Sequence, residues 1–298
     1  MILYYLKLKF IIMKKLSVFF VMVTLFITAC LKDIEQVKTQ NARYDISNFS
    51  KLAESYKSKE IKLKSRLPKK LKILLADLKG AISGAQVGAT IGRIFGGDDG
   101  AITGAITGAI VGAASASIEA AGMVINPQYN SELSINSLNR FDYIGLNHYL
   151  SINSTSLPEN MNFTNEEFDF QKSYNALTQY SLDNGLITNE ALTYFDAEAF
   201  ENNVLLVRNS DEGETGLLAY MNNVEGEDYF TVNVKDILSI YFSTILNISS
   251  DDYSSIYQFS VDYENLVIGK SDLTESEKFA LLSLMSTTRH GINYWGDL

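Results

Sequence analysis

Cysteine and histidine are almost absent from this chain of 298 residues, which has one cysteine, Cys30, and two histidines, His148 and His290. A single cysteine excludes an internal disulfide framework, and no thiol nucleophile exists beyond residue 30. There is no G-x-S-x-G elbow and no H-E-x-x-H pair. Gly269-Lys270-Ser271 has the ending of a phosphate-binding loop, but Glu264 stands where that loop needs its first glycine. Acids cluster across 209–228, yet Arg208 and Ser210 occupy the would-be first and third ligand positions of a calcium loop. The two histidines leave one metal reading, a zinc site formed across helices with Asp or Glu, and no spacing demands it. The expectation is therefore no cofactor, no metal and no catalytic set, hence no enzyme.

Charge is scarce in the middle of the chain and one-sided at its ends. Residues 1–29 carry four lysines and no acid, and residues 31–79 carry thirteen basic against six acidic residues. Residues 80–125 are nearly uncharged, with Arg93 against Asp98, Asp99 and Glu119. Residues 126–298 hold seven basic and twenty-six acidic residues, so the net charge of −10 averages a basic arm, a neutral middle and an acidic body.

The one cysteine is explained by what precedes it. Met13-Lys14-Lys15 is a positive start, Leu16 to Phe26 an apolar run, and Ile27-Thr28-Ala29-Cys30 its end. Those proportions are those of a secretory signal, and the last four residues resemble the lipobox of bacterial lipoproteins. The resemblance implies cleavage before Cys30 and acylation of that residue. Several acyl chains, each CH₂ contributing about 0.8 kcal/mol when buried, hold a protein on a bilayer durably. Leu31 replaces the aspartate that often retains such proteins at an inner membrane, which favours the outer one. The competing reading is a transmembrane anchor with an incidental cysteine.

Downstream, Lys57, Lys59, Lys62, Lys64, Arg66, Lys69, Lys70 and Lys72 are opposed by Glu60 alone. Beside a lipid anchor this is a membrane-surface patch, each base adding about 1 kcal/mol of attraction to an anionic surface. The plainer readings are a solvated linker helix interrupted at Pro68, or a neutralising arm for the acidic body. Nucleic acid is not expected as a partner.

Glycine is the abundance that offsets these shortages. In GAISGAQVGATIGRIFGGDDGAITGAITGAIVG, glycine recurs at Gly80, Gly84, Gly88, Gly92, Gly96, Gly100, Gly104, Gly108 and Gly112. Each glycine inside a helix costs about 1 kcal/mol relative to alanine. A four-residue step draws one slowly winding seam on a helix, and a bare seam lets a second helix approach until dispersion and Cα–H···O contacts offset that cost. Phe95-Gly96-Gly97-Asp98-Asp99-Gly100 is turn chemistry. Helices over 71–95 and 101–123 then become antiparallel neighbours, their glycine rows facing each other or a second copy of the chain. Ala101–Ile118 has no charge and would span about 27 Å against about 30 Å of hydrocarbon. Two placements stay open, insertion in a bilayer or burial under the C-terminal body.

The segment GAISGAQVGATIGRIFGGDDGAITGAITGAIVGAASASIE resembles the two-helix glycine-zipper domains of bacterial envelope lipoproteins. The resemblance covers about forty residues and implies membrane association and self-packing, with no catalytic residues to carry over. The large acidic body that follows departs from the short members of that group.

From Asn126 the punctuation is helical. Thr164-x-x-Glu167 and Thr274-x-x-Glu277 have the form of capping boxes. RFDYIGLNHYLSIN, KDILSIYFSTIL, DDYSSIYQFSVDYENLVI and FALLSLMSTTRHGINYW read as amphipathic helices, the last placing Phe279, Leu282, Met285, Ile292 and Trp295 largely on one face. Alternation over Tyr229–Val234 suggests one short strand. Asp183-Asn184-Gly185, 210–213 and 225–228 are turns. The RFDYIGLNHYLSIN and LTESEKFALLSLMSTTRHGINYW segments resemble paired segments of exported helical proteins from Gram-negative bacteria, which implies that His148, Arg289 and His290 lie together.

The expected fold is mainly α, a glycine-zipper helical hairpin followed by an α-helical bundle domain. Its parts are a signal peptide (1–29), a lipidated N-terminus and basic tether (30–79), the hairpin (80–125) and an acidic helical domain (126–298). The expected function is a lipid-anchored envelope protein of structural or interaction type. Its partners would be membrane lipid through Cys30, a second copy through the glycine seam, and a protein bound by the acidic domain. The alternatives are a bacteriocin-like pore former and, behind it, a periplasmic enzyme using the C-terminal domain.

Overall fold

The clearest local signal in the sequence, Thr274-x-x-Glu277, starts the longest helix as a reciprocal box. The Thr274 amide donates to Glu277 Oε2 at 2.9 Å, and the Glu277 amide donates to Thr274 Oγ1 at 3.2 Å. In the computed structural model this helix runs Glu275–Trp295. The structure describes residues 44–56, 73–85, 88, 104–114, 116, 134–153, 170–185, 188–192, 198, 201–202, 230–248 and 253–295. The chain divides into two compact units, Met1–Tyr44 and Asp45–Leu298, and the second holds nearly all described residues.

In chain order, and by our own labels, α1 is Ser47–Tyr56, α2 is helical over 73–85 with Gly88 also helical, and α3 is helical over 104–114. Then come α4 (Asp142–Asn153), α5 (Phe170–Asp183), the short α6 (Asn189–Leu192), α7 (Val232–Asn247), α8 (Tyr253–Gly269) and α9 (Glu275–Trp295). The fold is mainly helical, as expected, and contains no strand among the described residues. The strand expected over Tyr229–Val234 is corrected: α7 begins at Val232, because Thr231 caps it by accepting the Val234 amide. Alternation over six residues cannot distinguish a strand from the first turn of a capped helix.

Helix α9 is the axis of the unit. It packs on α4, α8 and α7; α1 lies on α7 and α8, and α5 on α4. Every residue from Phe279 to Ile292 is buried, including Ser283, Ser286, Thr287, Thr288, Arg289 and His290. The one-faced reading of FALLSLMSTTRHGINYW is therefore corrected, since this helix is enclosed all round. Three of its hydroxyls are satisfied: Thr287 and Thr288 donate back to the carbonyls of Ser283 and Leu284 on the same helix, and Ser286 donates across to the Asp142 carbonyl of α4, while Ser283 Oγ has no hydrogen-bond partner among the described residues. Back-bonded hydroxyls carry little unsatisfied polarity into a core.

On one flank of α9 lies an aromatic layer. Tyr241 of α7 meets Phe259 and Tyr263 of α8 at ring separations of 5.5 and 5.2 Å, and Phe49 of α1 meets Tyr263 at 5.0 Å. The buried phenols are satisfied, Tyr241 by Ser260 Oγ and Tyr263 by the Ile237 carbonyl. The Tyr56 hydroxyl, donating to Asp262 at 2.6 Å, pins the end of α1. At the end of α5, Asn184-Gly185 makes the expected turn, with Gly185 at φ +66, a left-handed conformation glycine adopts without steric cost.

Candidate functional site

Two features stand out beside α9, a closed glycine seam and a buried polar cluster. The seam pairs α2 with α3 in antiparallel order. A methyl added at Gly80 would lie 2.5 Å from the Gly112 carbonyl oxygen, and methyls at Gly84 and Gly88 would fall still closer to the carbonyls of Gly108 and Gly104. Side-chain carbons do not approach backbone this closely, so at these positions only glycine fits. The structure thus brings six of the nine ladder glycines together within one chain. Gly92, Gly96, Gly100 and the turn around them lie outside the described residues, as do Cys30, the eight basic residues from Lys57 to Lys72, the Thr164 box, the 209–228 acids and the turns at 210–213 and 225–228.

The described residues of the two arms are enclosed by other elements of the unit. Ile73, Leu78, Ala81 and Ile82 of α2 and Ala105, Ile110, Val111, Ala113 and Ala114 of α3 are buried. Gly291 of α9 admits Tyr149 and Leu74, and Gly145 of α4 admits the Ser286 backbone, so three elements meet where a methyl would collide. In this structure the described parts of both arms, 73–85 and 104–114, lie against the body. No helix among the described residues is long and apolar enough to cross a membrane.

The polar cluster joins α4, α8 and α9. Glu264 is fully buried and accepts from Arg289 Nε at 2.9 Å, Arg289 Nη2 at 3.2 Å, Asn136 at 2.8 Å and Asn139 at 3.1 Å. Arg289 Nη2 also donates to Asp142, whose other oxygen lies 3.4 Å from His290 Nε2. Asn136 and Asn139 turn their carbonyl oxygens to the backbone amides of Leu138 and Phe141, leaving their NH₂ groups for Glu264.

The electrostatics follow from this arrangement. Burial pushes the Glu264 carboxyl up, and the Arg289 charge and four donors work against it. For Asp142 burial also raises the pKa, but the His290 hydrogen bond and Arg289 outweigh it, and the net shift is downward. Burial would depress the Arg289 guanidinium, yet its two carboxylate partners raise it overall. Burial depresses His290 despite Asp142.

A second group borders the hairpin. Tyr149 of α4 donates to the Asp77 carboxylate on α2, and His148 Nδ1 lies 3.4 Å from the Ile110 carbonyl on α3. The Tyr149 ring packs on Tyr294 of α9 at 5.0 Å and on His148 at 4.2 Å. Burial, then the charge of His290, hold His148 down at about 3 against the Ile110 hydrogen bond.

His148, Arg289 and His290 do share one buried region. The structure adds Asp77, Asp142, Tyr149, Glu264, Asn136 and Asn139, none of which stood out as a candidate by sequence. The available signal was a charge set among apolar residues, Asp77 in ILLADLK and Glu264 in VDYENLVI, since such a charge is either solvated or paired inside. Among the described residues no group of three or more His, Cys, Asp or Glu could hold a metal ion. No protein-family model, curated protein or solved structure matches the chain.

Proposed function

We propose that this is a lipid-anchored cell-envelope protein of structural or interaction type, tethered through Cys30 at the outer membrane of a Gram-negative bacterium. The body is an acidic helical module packed against the glycine hairpin. One observation carries the non-catalytic part: the chemistry-bearing side chains Glu264, Arg289, His290 and His148 are all fully buried. Glu264 and Arg289 are bound to each other, and such groups hold elements in place rather than meet a substrate. The tether rests on the Leu16–Cys30 segment, and the lysine-rich arm supports a position along anionic headgroups. Leu138, Ile135 and Tyr143, 67%, 44% and 40% exposed, are apolar side chains that a protein partner could cover.

The experiment is fractionation with mass analysis of the full chain and its Cys30→Ala variant in a Gram-negative host. The expected result is a mature N-terminal residue carrying acyl mass in the outer-membrane fraction, with Cys30→Ala unacylated and released from it. An unmodified Cys30 in a chain that keeps residues 1–29 would overturn the tether.

The pore-forming alternative has one observation in its favour, the enclosure of weakly apolar arms within a bundle. Asp77 and Lys79, charged and buried on α2, weigh against passage of that arm into hydrocarbon. Dye release from anionic liposomes by the full chain at neutral pH separates the two readings; sustained leakage favours the pore.

A further inference from the structure

His148 and Tyr149 are consecutive on α4 and reach different arms of the hairpin. His148 faces the Ile110 carbonyl of α3, and Tyr149 holds Asp77 of α2. All three side chains are fully buried. The other ring nitrogen of His148, Nε2, has no hydrogen-bond partner among the described residues. Its nearest acid is Asp77 Oδ1 at 3.8 Å, beyond hydrogen-bond reach, on a carboxylate that already accepts from Tyr149.

We propose that His148 and Tyr149 form an acid-opened latch, in which protonation of His148 parts α4 from the glycine hairpin while the α7–α8 layer stays folded.

The ionisable groups facing His148 are Asp77 from α2, His290 from α9 and its own neighbour Tyr149, with Tyr294 of α9 acting on Asp77. Residues 104–114 of α3 carry no ionisable side chain. Helix α5 also packs on α4, and none of its ionisable groups is among those acting on His148. A second proton on the ring would place a charge in a dry site. Asp77 Oδ1, at 3.8 Å, is within ion-pair range but beyond hydrogen-bond reach and on a carboxylate engaged by Tyr149, so it offsets the cost of burial only in part, and His290 repels the ring once charged. The ring gains solvation only if the α4–hairpin contact opens, and in water its ordinary pKa is about 6.5. The open state therefore binds the extra proton first, and the closed state is favoured above about pH 6.5 and loses ground below it. One proton per opening shifts the equilibrium about tenfold per pH unit. The seam between α2 and α3 is backbone against backbone and has nothing to titrate, so the hairpin leaves as a pair. The aromatic layer of α7, α8 and α1 is fixed by contacts to which His148 does not contribute.

Hydrogen exchange on the full chain from pH 7.5 to 5.0, corrected for intrinsic rates, tests this. Protection over 73–85 and 142–153 should fall about tenfold per pH unit below about 6.5, while 232–247 and 253–269 keep theirs. His148→Gln should remove the pH dependence from the first two segments. Equal loss in all four segments, or pH-independent protection over 73–85, would overturn the latch. Should His148→Gln not fold, ring-labelled histidine in the unaltered chain decides. A His148 signal that titrates near pH 6 while 73–85 stays protected sinks the proposal, and a ring that titrates only as protection is lost supports it.

Discussion

Glu264 and Arg289 face each other across α8 and α9 with no exposed atoms between them, Nε to Oε1 at 2.9 Å and Nη2 to Oε2 at 3.2 Å. Two asparagines and Asp142 complete the set, so the loop Ser134–Arg140 and the start of α4 are fastened to the same charges that join α8 to α9. A bundle whose helices are otherwise held by non-directional packing acquires a fixed register from such a set.

Removing one side of that pair should therefore cost more than removing both. Glu264→Leu leaves Arg289 with Asp142 as its one remaining carboxylate, Asn139 with only the Leu282 carbonyl and Asn136 without its acceptor, a loss of about 3–5 kcal/mol. Glu264→Leu combined with Arg289→Met should recover part of it, because the charges of the pair itself are gone while Asp142 loses Arg289 and keeps only His290. Urea denaturation of the two variants reads this directly. A loss below about 1 kcal/mol in the single variant, far short of what a stranded buried charge costs, would mean that water reaches Arg289.

Three glycines should respond to alanine in three ways. Gly84→Ala drives a methyl onto the Gly108 carbonyl and should cost about 3 kcal/mol or more. Gly185→Ala meets no atom within 4 Å but must hold a φ of +66, which costs about 1–2 kcal/mol. Gly269→Ala meets neither obstacle and should be neutral or stabilising by up to about 1 kcal/mol. Thermal unfolding of the three proteins gives the order, and a Gly84→Ala as stable as Gly269→Ala would show arms more loosely packed than the backbone geometry implies.

That ranking marks how far the sequence could be read. The four-residue step of Gly80 to Gly112 is periodic and local, so both the close approach and the antiparallel pairing were legible. Thr274 and Glu277 were legible for the same reason, a cap being specified within four residues. What was hidden is non-local. Nothing in FALLSLMSTTRHGINYW says that its polar side meets Glu264 and Asp142 rather than water, because amphipathic patterning assumes one solvated face. Glu264 and Asp77 could be seen as charges set among apolar residues, but their partners lie 25 and 72 positions away. Whether the hairpin faced lipid or protein was equally undecidable, since Gly, Ala and Thr suit both.

The two histidines give the fold a pH dependence of definite sign. His148 and His290 both have folded pKa values below the ordinary histidine value, His148 at about 3. For each, the unfolded chain binds the proton first, so the stabilisation is complete above about pH 6.5 and is lost as pH falls through the window beneath it. Asp142, lowered, acts in the same direction further down, whereas Glu264, raised, opposes it above the ordinary carboxylate range. Between pH 7 and 5 the histidines outnumber Glu264, and unfolding free energy should drop by about 1–2 kcal/mol per pH unit. Urea titrations at pH 7.5, 6.5 and 5.5 check the slope; a flat profile would mean that at least one imidazole is charged in the folded core.

Glu277 should prove worth more than an ordinary helix cap, because it serves two helices at once. Its Oε2 accepts the Thr274 amide at the start of α9, and its Oε1 accepts the Thr231 hydroxyl, whose own oxygen caps α7 through the Val234 amide. Two donors thus need two oxygens on one buried carboxylate. Gln keeps a single oxygen for the Thr274 amide and turns its NH₂ to the Thr231 hydroxyl, which can accept it beside the Val234 amide. Glu277→Gln should then cost less than losing one cap, under about 1 kcal/mol, and Glu277→Ala, which removes both contacts, roughly 2 kcal/mol. The distinguishing readout is spatial. Hydrogen exchange should speed up in the first turns of both α7 and α9 in Glu277→Ala, whereas Thr274→Ala should loosen α9 alone. Fraying confined to α9 in both variants would show that Thr231 holds α7 without help from Glu277.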